Sequence, residues 1–247
     1  MKIFKDINKK IEILTINDWL NYCPPMNPKK QWVDYRSAKE MANFWTQSKN
    51  QETFLSYIQT IKNDLKFQCA IPEFITKFDN YDNPRKNDLC IFAEDKSGNV
   101  LISIEGKSDE PFGDKYVNQA LISSIITKKS NSKSKKFDRL CELYQRYNQN
   151  TDFFKIRYQL SYWFAGTIDE AFRNNVNSVF LIVQEFHSFK TNQDKIKTNK
   201  DDFDFFVKFI TNSEYKKINY KNIIGPINNE FTKNIDLYIG KYLIELK

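Results

Sequence analysis

Between Asp88 and Lys107 the chain alternates apolar and polar positions on either side of a short polar break: DLCIFAED, then KSGN, then VLISIEGK. This pattern predicts a two-stranded hairpin. If Glu94 pairs with Asn99 across the turn, Ile91 falls opposite Ile102, Leu89 opposite Ile104 and Asp88 opposite Glu105, and directly opposed residues share a face. One face then collects Leu89, Ile91, Ala93, Val100, Ile102 and Ile104, an apolar set that requires a core. The other carries Asp88, Glu105 and Lys107 at one end, with the two carboxylates roughly 5 Å apart.

The same reading along the rest of the chain predicts a short strand over Ile11–Ile16 and a brief helix toward Tyr22, capped by Asn17 or Asp18. CPPMNPKK breaks regular structure. Ser37 and Glu40 read as a capping box for a helix whose Ala38, Met41, Ala42 and Trp45 recur at helical spacing. Further helices are predicted over Gln51–Leu65, from Pro72 to Phe78, from Asp114 to Ile126 with Val117, Ala120, Leu121 and Ile125 buried, and over Phe137–Tyr147 and Phe153–Arg173. Ser178–Val183 is a continuous apolar run of the kind found in buried strands. Thr191–Lys200 reads as a loop, Phe203–Ile210 as a helix, and Leu237–Leu246 as a terminal strand with Gly240 at a bulge. A hairpin joined by helices to a later strand predicts an α/β fold, a mixed central sheet flanked by helices. With 247 residues and neither an internal repeat nor a linker, residues 1–247 read as a single domain.

Composition adds three constraints. The net charge of +7 favours a polyanionic partner, although part of the lysine excess goes with the general abundance of Asn, Ile, Phe and Tyr. The four cysteines have no CxxC spacing and no partner histidines, so neither a zinc site nor a disulfide framework is indicated, and the one histidine, His187, excludes His-pair nuclease centres; His187 itself reads as a structural or surface residue. The amino terminus has no apolar stretch of signal-peptide length, and no segment approaches a membrane span, so the expected setting is soluble and cytoplasmic, without a membrane. No glycine-rich phosphate loop is present to support an NTPase.

The chemistry that suits Asp88 and Glu105 is that of a hard divalent cation. Magnesium takes oxygen ligands in an octahedron and commonly only one or two carboxylates; the carbonyl of Gly106 is placed to add an oxygen. Lys107, on the same face as Glu105, suits a phosphate oxygen or the charge that develops as a phosphodiester is attacked. Acid-x-Lys alone is a weak signal, since it recurs at Asp64/Lys66, Glu94/Lys96, Glu214/Lys216 and Glu245/Lys247. Hairpin register, an apolar opposite face and an aspartate at the paired position single out Glu105.

An acid, a spacer and Glu-x-Lys on the next strand resemble the PD-(D/E)xK nuclease superfamily, which includes many restriction and repair endonucleases. EGKSDEPFG (105–113), with RSAKEMANFW (36–45) before it and IRYQLSYWFA (156–165) after it, is also similar to a bacterial group of uncharacterised nuclease-like proteins, a likeness running from about Ile11 to Phe189. The resemblance implies a restriction endonuclease-like core, Asp88 and Glu105 as metal ligands for Mg2+ with Mn2+ able to substitute, and Lys107 as the catalytic lysine. The eponymous dipeptide is absent, since Pro84 and Asp88 are separated by RKN.

Most accessory residues carry two readings. Glu40 lends an acid to the metal or caps its own helix. Gln119 faces the site from the helix after the hairpin. Asp109 and Glu110 join the metal or complement a helix dipole. Arg157 and Gln159 contact phosphate or base, or lie on a solvated helix face. The run KKSNSKSKK, with Lys128, Lys129, Lys133, Lys135 and Lys136, is a mobile nucleic-acid-binding loop or a solvated linker.

The function these residues point to is a divalent-metal-dependent endonuclease acting on DNA, of restriction or phage-defence type, for which paired copies of the chain would cut both strands. Two alternatives stay open: a nucleic-acid-binding module that keeps the fold without cleavage, and an interaction or assembly subunit with protein partners. Asp88→Ala or Lys107→Ala is expected to abolish cleavage and leave the fold intact.

Overall fold

The computed structural model describes residues 1–82 and 84–246. In chain order the strands are β1 (Lys2–Ile3), β2 (Lys66–Thr76), β3 (Arg85–Asp95), β4 (Gly98–Lys107), β5 (Val176–His187), β6 (Ile223–Ile227) and β7 (Asp236–Glu245). The helices are α1 (Ile16–Tyr22), α2 (Pro28–Gln31), α3 (Ser37–Trp45), α4 (Ser48–Gln59), α5 (Val117–Ser130), α6 (Lys136–Arg146), α7 (Tyr158–Arg173) and α8 (Gln193–Ile210).

The hairpin register is the one its alternation predicts: β3 and β4 run antiparallel with Leu89 opposite Ile104, Ile91 opposite Ile102 and Glu94 opposite Asn99. The turn closes because Asp95 Oδ1 accepts the Ser97 and Gly98 N–H groups at 2.7 and 3.0 Å. Gly98 is needed there, since it holds a φ of +132° and a Cβ would lie 2.4 Å from Asn177 Oδ1.

Around this hairpin the sheet grows to seven strands in the order β1-β2-β3-β4-β5-β7-β6. It is mixed: β4, β5 and β7 are parallel neighbours, as are β1 and β2, while β2–β3, β3–β4 and β6–β7 are antiparallel. Helices cover both faces. The six apolar hairpin residues are buried in a core with Trp19, Met41, Trp45, Phe54 and Ile58 of α1, α3 and α4. On the opposite face Cys90, Leu101, Val179, Leu181, Leu237 and Ile239 pack with Val117, Leu140, Trp163, Phe164, Phe203 and Phe206 of α5 to α8. Trp163 Nε1 donates to Ser103 Oγ at 2.7 Å, fixing α7 across β4 where an all-apolar contact would let it slide.

Several elements differ from the sequence reading. Of the expected strand over 11–16, residues 11–15 hold only an isolated bridge, Phe4 with Glu12, and Ile16 already opens α1, whose cap is Thr15, which exchanges side-chain and backbone bonds with Asp18. Pro72 lies inside β2, not at a helix start: β1 pairs with Cys69 and Ala70, and beyond them no strand among the described residues pairs with that edge of β2, so the N–H that proline lacks is not called for. Thr191–Lys200 is mostly helical, because Asn192 caps α8 through the Lys195 N–H and Lys197–Asp201 and Lys200–Asp204 bridge successive turns. Gly240 sits in regular register with Ile182; a Cβ would meet Tyr57 Oη at 2.6 Å, so the glycine serves close packing of α4 rather than a bulge. In α5 the buried residues are Val117, Ala120 and Ser124, and Ile125, about 100° further round the helix, is exposed.

Candidate active site

The carboxyl end of β4 meets the start of β3, and there the sheet carries its acids. The ladder ends at Leu89–Ile104. One step beyond, Asp88 Oδ2 accepts the Gly106 N–H at 2.8 Å, which pins the carboxylate beside the Glu105–Lys107 segment. Glu105 is 2% exposed; its Oε1 accepts from Lys107 Nζ at 2.8 Å and from Gln159 Nε2 at 2.5 Å. Gln159 comes from the first turn of α7, so the helix that covers the sheet also orients its buried carboxylate. Lys107 is buried too, its ammonium 5.2 Å from the centroid of the Phe112 ring. On the other side of the strand Gly106 admits α3: a Cβ there would lie 2.7 Å from Met41 Cγ.

Asp88, Glu105, Gly106, Lys107 and Gln159 line one cleft of about 780 Å3. Of the acid-x-Lys pairs this one is buried, whereas Lys66, Glu94, Lys96, Glu214, Lys216 and Glu245 are exposed and Lys247 lies outside the described residues. Cys23 also lines the cleft, but burial, reinforced by the charge of Glu73, pushes its thiol up to about 11, so it does not present a thiolate. Burial likewise raises the Tyr158 phenol, another lining group, to about 12, leaving it a hydrogen-bond donor.

The other candidates are engaged by other partners, and of them Glu110 also lines the cleft. Glu40 forms no capping box; its Oε1 accepts the Tyr35 N–H at 2.8 Å and Oε2 the Asn43 amide at 3.0 Å, and the described lining of the cleft leaves it out. Gln119 is turned back on the start of α5, accepting the Tyr116 N–H at 3.0 Å, because an unpaired N–H at a helix start is a nearer partner than the site. Arg157 is committed to Asp202 of α8 at 2.6 Å and stacks 4.0 Å from the Tyr116 ring. Asp109 binds Arg36 at 2.7 Å and Glu110 accepts the Ser37 and Ser108 N–H groups, so this pair ties the start of α3 to the end of β4. The lysine run is not one loop: Lys128 and Lys129 form the last turn of α5 and Lys136 opens α6. Lys128 and Lys135 pair with Asp138, Lys136 lies over the Tyr158 ring at 5.8 Å, and Lys129 and Lys133 face solvent.

The sequence reading missed a second polar cluster at the same end of the sheet. Glu185, the residue of β5 that pairs with Lys107 in the ladder, binds Lys241 Nζ at 2.6 Å through Oε1, while its Oε2 meets His187 Nε2 at 2.9 Å and Tyr220 Oη at 2.6 Å. His187 is thus a structural partner, as its sequence position suggested.

Among the described residues no group of three or more His, Cys, Asp and Glu side chains is arranged to hold an ion. The donors the cleft offers are two carboxylates, Asp88 and Glu105, oxygen ligands of the type and number that magnesium commonly takes from a protein.

Among the described residues no helix is long and apolar enough to cross a membrane. No curated protein and no solved structure matches the chain. A family model does match it over residues 12–245, and the chain accordingly belongs to the family described as Domain of unknown function (DUF6946).

Proposed function

We propose that this chain is a divalent-metal-dependent nuclease of the PD-(D/E)xK kind, hydrolysing DNA phosphodiesters in the cytoplasm in a restriction or phage-defence role. One observation carries the reading: Asp88, Glu105 and Lys107, from adjacent strand ends, line a single cleft with Gln159 fixed on Glu105. The +7 charge and the exposed Lys129 and Lys133 support a polyanionic substrate.

Asp88, Glu105 and the Gly106 carbonyl would hold magnesium, or manganese in its place. The chemistry such an ion supplies when bound is polarisation of a phosphoryl oxygen and acidification of water. Gln159 keeps Glu105 in one rotamer through its amide hydrogen bond, and the Gly106 N–H does the same for Asp88. Lys107 presents an ammonium at the cleft wall, where it binds a phosphate oxygen and offsets the negative charge that grows as the P–O bond breaks. Burial strengthens that interaction, because little water competes for the ammonium.

The test is cleavage of supercoiled plasmid and of single-stranded DNA with and without magnesium or manganese, comparing the native chain with Glu105→Ala. Metal-dependent cutting that disappears in the variant is the expected result. Cutting that survives Glu105→Ala, or needs no metal, removes the assignment; DNA binding without any cutting favours the binding-module alternative.

A further inference from the structure

The cleft is larger than a phosphate and an ion require. Its volume of about 780 Å3 falls in the upper part of the roughly 300–1,000 Å3 range of sites that enclose a small organic ligand. Beside the charged groups Glu73, Lys86, Asp88, Glu105, Lys107, Glu110 and Asp114 its wall carries an apolar set, Trp19, Met26, Trp32, Met41 and Ile75. Met26 is 94% exposed and Ile75 48%, and Trp32 is half-buried. Single exposed apolar residues need no explanation, but a contiguous set facing a buried ion pair marks a binding surface.

Met26 and Trp32 come from the proline-rich break of the sequence, 23–32. Pro24, Pro25 and Pro28 restrict its backbone, and the four-residue helix α2 ends on Trp32, whose N–H donates to Pro28 O at 2.9 Å. The backbone of this part of the wall is therefore restricted before any ligand arrives. Two cations line the same cleft: Lys107, paired with Glu105, and Lys86, which lies opposite Ile75 across β2 and β3, 3.4 Å from Glu73 and about half exposed.

We infer that the cleft takes an unpaired nucleotide, with the phosphate at Lys107 and the adjoining base on the wall of Trp32, Met26 and Ile75. The substrate class is then single-stranded or frayed DNA rather than closed duplex. This rests on the phosphodiester reading above and goes beyond it. The argument is one of charge and shape: phosphates match Lys107 and Lys86, and the apolar side chains of the same cleft match the π-face of a base, which is sequence-tolerant. In a closed duplex each base is stacked on its neighbours and cannot lie on a concave protein wall beside its own phosphate unless it leaves the stack.

The experiment is anisotropy of a labelled DNA oligonucleotide, single-stranded and as the blunt duplex, with calcium in place of magnesium so that binding is read without cutting. The native chain is expected to prefer the single strand. Trp32→Ala is expected to weaken single-strand binding roughly tenfold or more, the scale of one lost base stack, while Trp32→Phe keeps most of it and the duplex affinity is unchanged. Because Trp32 also packs on the core, Met26→Ala is the second variant: its side chain is almost wholly exposed, and it should lower single-strand affinity alone. Equal affinity for the two DNA forms, or losses in both variants that are absent or the same for both forms, overturns the inference. Failure of the plasmid to be cut bears on the nuclease reading only, and loss of strand preference on this inference only.

Discussion

Lys107→Met is expected to lower metal-dependent cleavage by roughly 10²–10³-fold, the scale on which one preorganised donor to a developing charge acts, and at the same time to weaken the fold. The second effect differs from the expectation of an intact fold because both side chains of the pair are buried. Lys107 and Glu105 have side chains 7% and 2% exposed and lie 2.8 Å apart, and removing one partner of a buried pair leaves an uncompensated charge, at about 3–5 kcal/mol. The lower end applies, because the Gln159 amide still donates to Glu105. Methionine keeps an aliphatic stem against Phe112, so lost packing contributes little. The double variant Glu105→Gln with Lys107→Met separates the two roles: it carries no orphaned charge and should recover most of the denaturation midpoint while remaining inactive. Denaturant titration and single-turnover cleavage, both far below the melting temperature, check this. A double variant that cuts like the native chain would remove Lys107 and Glu105 from catalysis.

That coupling of stability and chemistry was only half legible in the sequence. The hairpin register follows from a period of two and a polar turn, and those suffice to place Asp88, Glu105 and Lys107 together. What periodicity does not carry is depth. The face bearing these residues also carries Cys90, Leu101 and Ser103 and lies under α5 and α7, so the ion pair sits under a helix instead of on a rim. Gln159 was recoverable as a candidate but not its partner, 54 positions away in the chain. Arg157 and Gln119 failed for a common reason: each had a competing acceptor or donor nearer than the site, Asp202 for one and the first N–H of its own helix for the other. Pro72 was read by its local preference for helix starts, and strand pairing overrode that preference. In contrast, the first half of α8 did announce itself. Asn192 as a cap and the Lys197–Asp201 and Lys200–Asp204 spacings are helix signals, outweighed in the sequence reading by polarity.

The largest loss of stability is expected at the second buried pair, for Lys241→Ala. Lys241 is 1% exposed, its ammonium 2.6 Å from Glu185 and 4.7 Å from the Tyr220 ring centroid. Truncation leaves Glu185 buried with only His187 and Tyr220 to compensate it and opens space beneath Phe203, so a loss of about 3–5 kcal/mol is expected. Glu185→Leu combined with Lys241→Met removes both charges at similar volume and should restore the loss or exceed it, by about 1–4 kcal/mol. The pH dependence identifies the same pair. Burial alone would raise the Glu185 carboxyl, but His187, Lys241 and Tyr220 outweigh it and hold the group below its ordinary value of 4.5. As the pH falls the unfolded chain therefore takes up the proton first. The stability this group contributes is complete above about pH 4.5 and is lost as the pH passes down through the folded-state value. Denaturation midpoints measured from neutral pH into this acid range should fall in the native chain and fall less steeply in the Glu185→Leu, Lys241→Met double variant. An acid limb that is the same in both would show that other carboxylates govern it. Since Glu185 pairs with Lys107 across β4 and β5, cleavage by the double variant at neutral pH also decides whether the second cluster supports the strand end or takes part in the chemistry. A purely supporting role leaves the rate near the native value, because the ladder bonds that set Lys107 run through the backbone.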